Sequence, residues 1–241
     1  MTVHERAELR DRMCVFRDRA HAGEVVAEMT GELRGSETTV LAVPAGGLPV
    51  AAVIAGALGL PLDVAVVSKI TLPWNTEVGY GAVAFDGTTR LNEALAADLG
   101  LADEVVRRGI EETRAKVARR VAELRGEQSA PDLSGRCAVV VDDGLASGFT
   151  MATAIEALRR CGASRLLVAV PTGPLRAVER LAPEVDDLYC ANVRGGHRFA
   201  VADAYEAWQD VGEDEARAIF ERFRRTKCAR ARKDRGSGSG I

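Results

Sequence analysis

Two kinds of apolar pattern alternate along the chain. Short apolar runs occupy residues 38–43, 64–68, 139–141, 165–170 and 187–191. They are rich in Val and Leu and show little polar alternation, as strands buried on both faces do. Between them the apolar residues return at helical spacing. Residues 3–34 predict one or two helices with a stripe of Val15, Phe16, Ala22, Val25, Val26, Met29 and Leu33. Residues 50–58 predict a short buried helix. Residues 103–125 predict a long amphipathic one, with Val106, Ile110, Thr113, Val117, Val121 and Leu124 on one side. Further helices are expected from Met151 to about 160, up to 181, and over 213–225. Strands joined through helices argue for a parallel sheet with right-handed crossovers. The expected class is therefore α/β: a Rossmann-like, mostly parallel five-stranded sheet flanked by helices.

Residues 69–92 break this rhythm. They contain Pro73, Trp74 and Tyr80, and residues 82–91 alternate around Asp86-Gly87, which signals a β-hairpin. An insert of this length is usually functional or disordered, and its aromatic residues and hairpin argue against disorder. The loops at 44–49, 142–150 and 171–173 are expected at the carboxyl ends of strands, where open parallel sheets bind ligands. Residues 127–135 predict a loop, and residues 193–201 are glycine-rich and basic, with Arg194, His197 and Arg198. Residues 1–235 read as one domain, with its core at about 36–68 and 100–192. The insert at 69–92 and the terminal segments form a cover, and residues 236–241 a flexible tail.

Composition narrows the function only slightly. The 241 residues are 47% hydrophobic and 28% charged, with a net charge of −3, so nothing global draws the chain to nucleic acid or membrane. A basic cluster from Arg222 to Arg235 reads as a solvated helix end. Residues 39–67 are long enough to span a bilayer, but Pro44, Pro49, Pro61, Gly46-Gly47 and Asp63 interrupt them. The residues from His4 onward are charged and show no apolar signal core. Five scattered cysteines without a CxxC pair support neither a disulfide framework nor a zinc site, and a reducing cytoplasm is expected.

The most informative stretch is Val139-Val140-Val141-Asp142-Asp143-Gly144-Leu145-Ala146-Ser147-Gly148-Phe149-Thr150. A buried strand runs into two adjacent carboxylates, then into a small-residue loop where a helix begins. Free amides and the helix dipole favour an anion there. The carboxylates suit sugar hydroxyls or a metal ion. A sugar phosphate satisfies both halves at once. No Walker loop and no GxGxxG occurs.

This stretch resembles the phosphoribosyl pyrophosphate (PRPP) motif of type I phosphoribosyltransferases. Pro44-Ala45-Gly46-Gly47 is similar to the pyrophosphate loop of that fold. Phe16-Arg17-Asp18-Arg19 with Ala22-Gly23, Gly79-Tyr80-Gly81-Ala82 and Asp132-Leu133-Ser134-Gly135-Arg136 extend the likeness to a group of bacterial and archaeal phosphoribosyltransferases of mostly unassigned substrate. The resemblance implies transfer of a 5-phosphoribosyl group from PRPP to a small-molecule acceptor, with Mg²⁺ as cofactor, in a homo-oligomer such as a dimer. It implies that Asp142 and Asp143 hold the ribose hydroxyls, directly or through Mg²⁺. Gly144, Leu145, Ala146, Ser147, Gly148, Phe149 and Thr150 would cradle the 5-phosphate. Ala45, Gly46 and Gly47 would approach the pyrophosphate, with a strained or cis peptide among them, and Lys69 would stand beside it. Residues 70–92 would form a flap or hood. Trp74 or Tyr80 is a candidate acceptor cover, with packing inside the hood as the simpler role.

Hypoxanthine–guanine enzymes of this family carry a third Asp in the loop, where this chain has Ala146. No salvage of hypoxanthine or guanine is therefore expected. Binding of PRPP without turnover, as in a transcriptional regulator, is the main rival. Nucleic acid is not an expected partner, because no helix-turn-helix extension is recognisable.

Overall fold

The computed structural model describes residues 2–126, 132–196 and 198–236, and the side chains of these except Glu77 and those from 227 onward. Part of the expected 127–135 loop, His197, the basic side chains beyond Arg225 and the tail from 237 lie outside the described residues.

The main sheet is parallel. Its strands are β1 (Thr2–His4), β2 (Thr39–Ala42), β3 (Leu62–Val64), β7 (Cys137–Val141), β8 (Arg165–Pro174) and β9 (Asp187–Arg194). Their order across the sheet is β1-β9-β8-β7-β2-β3. The sheet thus has six strands, one more than the sequence pattern predicts. The extra strand, β1, pairs Thr2 with Asp187 and His4 with Tyr189. Three residues show no usable period, and only the distant β9 makes them a strand. The predicted helical region at 3–34 accordingly contracts to α1 (Arg19–Met29), flanked by short 3₁₀ turns. Asp18 caps α1 by accepting the His21 amide at 2.8 Å.

Alternate residues of β7 face opposite layers. Val139 and Val141 pack with α1 and α2 (Gly47–Leu58), among Val26, Ile54 and Leu58. Ala138 and Val140 pack with α5 (Phe149–Arg160) and α6 (Leu175–Leu181), among Ile155, Leu158 and Leu181. Both faces are covered, so the strand sequence needs no polar alternation.

The apolar run at 64–68 is divided between two sheets. Val64 ends β3, whereas Val67 begins β4 (Val67–Leu72). β4, β5 (Asn75–Ala84) and β6 (Thr89–Leu91) form a separate antiparallel sheet, the hood. Residues on both sides of the junction are buried, so hydropathy carries no sign of the change. The β5–β6 turn is the predicted one, with Gly87 at φ 89° and Asp86 accepting the Thr88 amide at 2.9 Å. After α3 (Glu93–Asp98), the long helix α4 (Asp103–Arg125) has the predicted limits and packs on β4 and β5. Its end is tied to β3 by Arg125 Nε on Asp63 at 3.0 Å. The strands β8 and β9 run further than their hydropathy suggests. Pro171, Gly173 and Pro174 look like a turn, yet Thr172 and Gly173 pair with Asn192 and Val193. The closing helix α7 (Glu213–Gly236) also outruns its predicted end at 225. Among the described residues no helix is long and apolar enough to cross a membrane.

Two outcomes follow for stability. Tyr80 is fully buried in the hood, and its hydroxyl, directed at Gly109 of α4, has no hydrogen-bond partner among the described residues. Tyr80→Phe removes an unpaired buried polar group, so urea unfolding should show a gain of about 1 kcal/mol. At the β1 edge, burial would raise the Asp187 carboxyl, but Arg165 and His4 outweigh it and hold it below its ordinary value. A depressed folded value gives stability that is present above the unfolded pKa, about 3.9, and is lost as pH falls through the folded one. Thermal melts from pH 7 down to pH 2 should show Asp187→Asn less stable at neutrality, with the difference vanishing at the acid end.

Candidate functional site

β2 and β7 are neighbours in the sheet, and the chain leaves them in opposite directions: β2 leads outward to β3, β7 to β8. Such a reversal of strand order opens a crevice beyond the carboxyl ends of the strands. Two loops meet there. One follows β2 through Pro44, Ala45 and Gly46 into α2, and its Pro44–Ala45 peptide bond is cis. The other follows β7 through Asp142, Asp143 and residues 144–148 into α5.

The loops touch through glycine. A Cβ on Gly47 would stand 2.7 Å from the Val141 carbonyl oxygen, and one on Gly46 would overlap the Asp143 carboxylate. Gly148 precedes α5 at φ 72°, a conformation that disfavours other residues. The Ser147 hydroxyl accepts the Phe149 amide at 3.3 Å. The Leu145 amide is bound to the Thr172 carbonyl at 2.8 Å, so the lengthened β8 forms the floor of this loop. The first-turn amides of α5 have no partner within the helix. The structure therefore brings residues 44–47 and 142–150 together. It does not make residues 171–173 a third loop, because they continue β8.

Two cavities adjoin the diacid. The first, of about 460 Å³, is lined by residues 142–151, Lys69, Gly79, Gly81, Val201 and Trp208. The second, of about 540 Å³, includes Val43 and Pro44, Ser68, Lys69 and Thr71 of β4, and Thr113, Lys116 and Arg120 of α4. Lys69, Asp142 and Thr150 line both. Arg120 is 8% exposed; its Nε lies 2.9 Å from Glu213 without hydrogen-bond alignment. The second cavity is thus walled by three cations, two of them on a helix outside any motif, together with the carboxylates Glu112 and Asp142.

The diacid is held in unequal surroundings. Burial, and then the charge of Asp143, pushes the Asp142 carboxyl well above its ordinary value. Burial raises Asp143 too, but Arg19 opposes that shift. Arg19 Nε donates to Asp143 Oδ2 at 2.8 Å, and the Tyr205 hydroxyl donates to the Asp143 carbonyl at 2.6 Å. Among the described residues no three His, Cys, Asp or Glu side chains converge as a metal cage. Two hard carboxylates still fit Mg²⁺, which commonly binds one or two carboxylates together with substrate phosphates and water.

Of the two aromatic candidates, Tyr80 is hood core, and Trp74 is 66% exposed at the β4–β5 turn and lines neither cavity. The aromatic residues of the first cavity are Phe149 and Trp208 instead. Neither Trp208 nor Arg19 stands out by composition or period, and only long-range packing puts them at the site.

The sequence model of the phosphoribosyl transferase domain matches residues 18–197. The chain is 36% identical over 217 residues to "Putative phosphoribosyl transferase Rv0571c" of Mycobacterium tuberculosis, covering 88% of this chain and 48% of that protein. The chain therefore spans about half the length of the curated relatives it matches. A 63-residue stretch, 25% of this chain and 23% of the relative, is 40% identical to the ribose-phosphate pyrophosphokinase of Pyrococcus furiosus. Among solved structures, TT1426 from Thermus thermophilus superposes with a TM-score of 0.70 at 33% identity, over 86% of this chain and 98% of that one.

The loop contact sets a direct expectation. Gly46→Ala and Gly47→Ala should each destabilise the protein by about 1–3 kcal/mol in urea unfolding, since neither the Asp143 carboxylate nor the β7 backbone can withdraw without strain.

Proposed function

The chain belongs to the phosphoribosyltransferase family, and we propose on that footing that it transfers the 5-phosphoribosyl group of PRPP to a small-molecule acceptor, releasing pyrophosphate. One observation carries the reading: two glycine-bearing loops meet over a pair of carboxylates, with a cavity holding Lys69, Lys116 and Arg120 on one side and a cavity holding Phe149 and Trp208 on the other. Residues 144–150 take the 5-phosphate at the start of α5. The Asp142–Asp143 diacid receives the ribose hydroxyls. Ala45, Gly46 and Gly47 approach the pyrophosphate, and Lys69 reaches it from the hood, joined by Lys116 and Arg120. The acceptor enters the first cavity, near Trp208 and Val201. The setting is cytoplasmic, in keeping with cysteines 14, 137, 161 and 190, which are all free thiols.

The bond from the anomeric carbon to pyrophosphate breaks, and the electron pair leaves with the pyrophosphate oxygen. The acceptor's lone pair forms the new bond at that carbon, and its proton is released. The sugar passes through an oxocarbenium-like state, as in glycoside cleavage. Lys69, Lys116 and Arg120 stabilise the charge that develops on the leaving group. Mg²⁺, held by the diacid with the donor's own oxygens, would add further charge stabilisation there. The hood sheet and α4 keep water from the reactive sugar. Ala146 offers no carboxylate to a purine ring nitrogen.

Pyrophosphate release should depend on Mg²⁺ and on one class of acceptor in a panel of bases, amines and aromatic acids. Lys69→Ala should lower kcat/KM by about 10²-fold in that assay. Nucleotide formation from hypoxanthine or guanine would overturn the exclusion drawn from Ala146. PRPP binding without turnover, together with salt-sensitive nucleic-acid binding, would favour a regulator instead.

A further inference from the structure

The two acids of the motif do different work. Asp142 lines both cavities, while Asp143 lines only the first. Asp143 Oδ2 is taken by Arg19, in a pair whose side chains are 10% and 14% exposed. Arg19 has two further ties. Its Nη1 donates to the Gln209 carbonyl at 2.6 Å, and its guanidinium lies 3.9 Å from the centroid of the Trp208 ring. Trp208 is a wall of the first cavity. The Tyr205 hydroxyl fixes the Asp143 backbone, and Gly46 leaves only enough room for its carboxylate. Asp143 is therefore gripped by α1, by residues 205–209 and by the loop after β2.

An unpaired carboxylate here would be both buried and repelled by a polyanionic donor. A planar guanidinium satisfies it while also bonding a carbonyl and stacking on a ring, which an ammonium cannot do together. We propose that Arg19 is a positioning residue of the donor site: it neutralises Asp143 and seats Trp208, leaving Asp142 as the acid that meets the ribose hydroxyls. The inference rests on the phosphoribosyl-transfer reading and divides the role that reading gives to the diacid.

The test is calorimetric titration of the full chain with PRPP in the presence of Mg²⁺, which needs no acceptor. Asp142→Asn should weaken Kd by roughly thirtyfold or more, and Asp143→Asn by less than about fivefold. Arg19→Gln leaves an uncompensated carboxylate beside the phosphates and should weaken Kd on the order of tenfold. Adding Asp143→Asn to Arg19→Gln removes both charges and should restore Kd to within about threefold of the parent. Arg19→Lys should fall between the parent and Arg19→Gln. A merely structural arginine would lower the melting temperature without this rescue of affinity. If Arg19→Gln fails to fold, the comparison of Asp142→Asn with Asp143→Asn still decides. Equal losses at the two acids, or additive losses in the double variant, overturn the inference while leaving phosphoribosyl transfer intact. A parent chain that binds no PRPP removes the functional reading and this inference with it.

Discussion

Burying two adjacent carboxylates between two glycine-bearing loops is the constraint on which this structure depends. Each carboxylate loses water, and the charge of Asp143 raises the cost of ionising Asp142. The surroundings answer with one guanidinium, one phenol hydroxyl and close backbone approach. Arg19 supplies the charge, Tyr205 fixes the Asp143 carbonyl, and the Asp142 carboxylate accepts the Asp143 amide at 2.8 Å. Gly46 and Gly47 let the loop after β2 come near enough to enclose the pair. Much of the remaining architecture brings those groups to one point.

The hood serves the same end from the other side. Its sheet places Lys69 between the two cavities, and α4 brings Lys116 and Arg120 to face it. Arg120 is also anchored, with its Nη1 3.4 Å from the Ser68 hydroxyl and its Nε beside Glu213 at the start of α7. Arg120 is thus braced by β4 and by α7, and fixing its long side chain in the folded protein spares the entropy of ordering it later.

What could be read in the sequence follows from the range of the interactions involved. The β7 run, the diacid and the loop into α5 are contiguous, so this strand–loop–helix passage was legible. So were α4, whose 23 residues keep a helical period, and the β5–β6 hairpin, whose Asp86-Gly87 turn is local chemistry. The strand β1 was not, because three residues become a strand only by pairing with β9, some 185 positions away. The passage from β3 to β4 was hidden because both sheets bury the same residue types. Arg19 lies in the stretch Phe16-Arg17-Asp18-Arg19, yet its partner is 124 residues on. Trp208 resembles any other surface aromatic until the chain closes over the diacid.

That closure has a temporal side. Beyond the β1–β9 pairing, the Phe16 amide bonds to Ala204, and the Glu206 amide returns to the Phe16 carbonyl. A ribosome delivers Arg19 first, the diacid 124 residues later, and Tyr205 a further 62 residues on, with Trp208 and Gln209 close behind. Until those residues emerge, the nascent chain holds the loops at 44–47 and 142–150 without the clasp that joins them. Closure of the crevice is therefore a late event in folding, slowed by the long loops that must close first. The crevice completes itself only when the segments from β1 to Gln209 are all available, so a chain arrested before Tyr205 carries the diacid without its guanidinium and phenol partners in place.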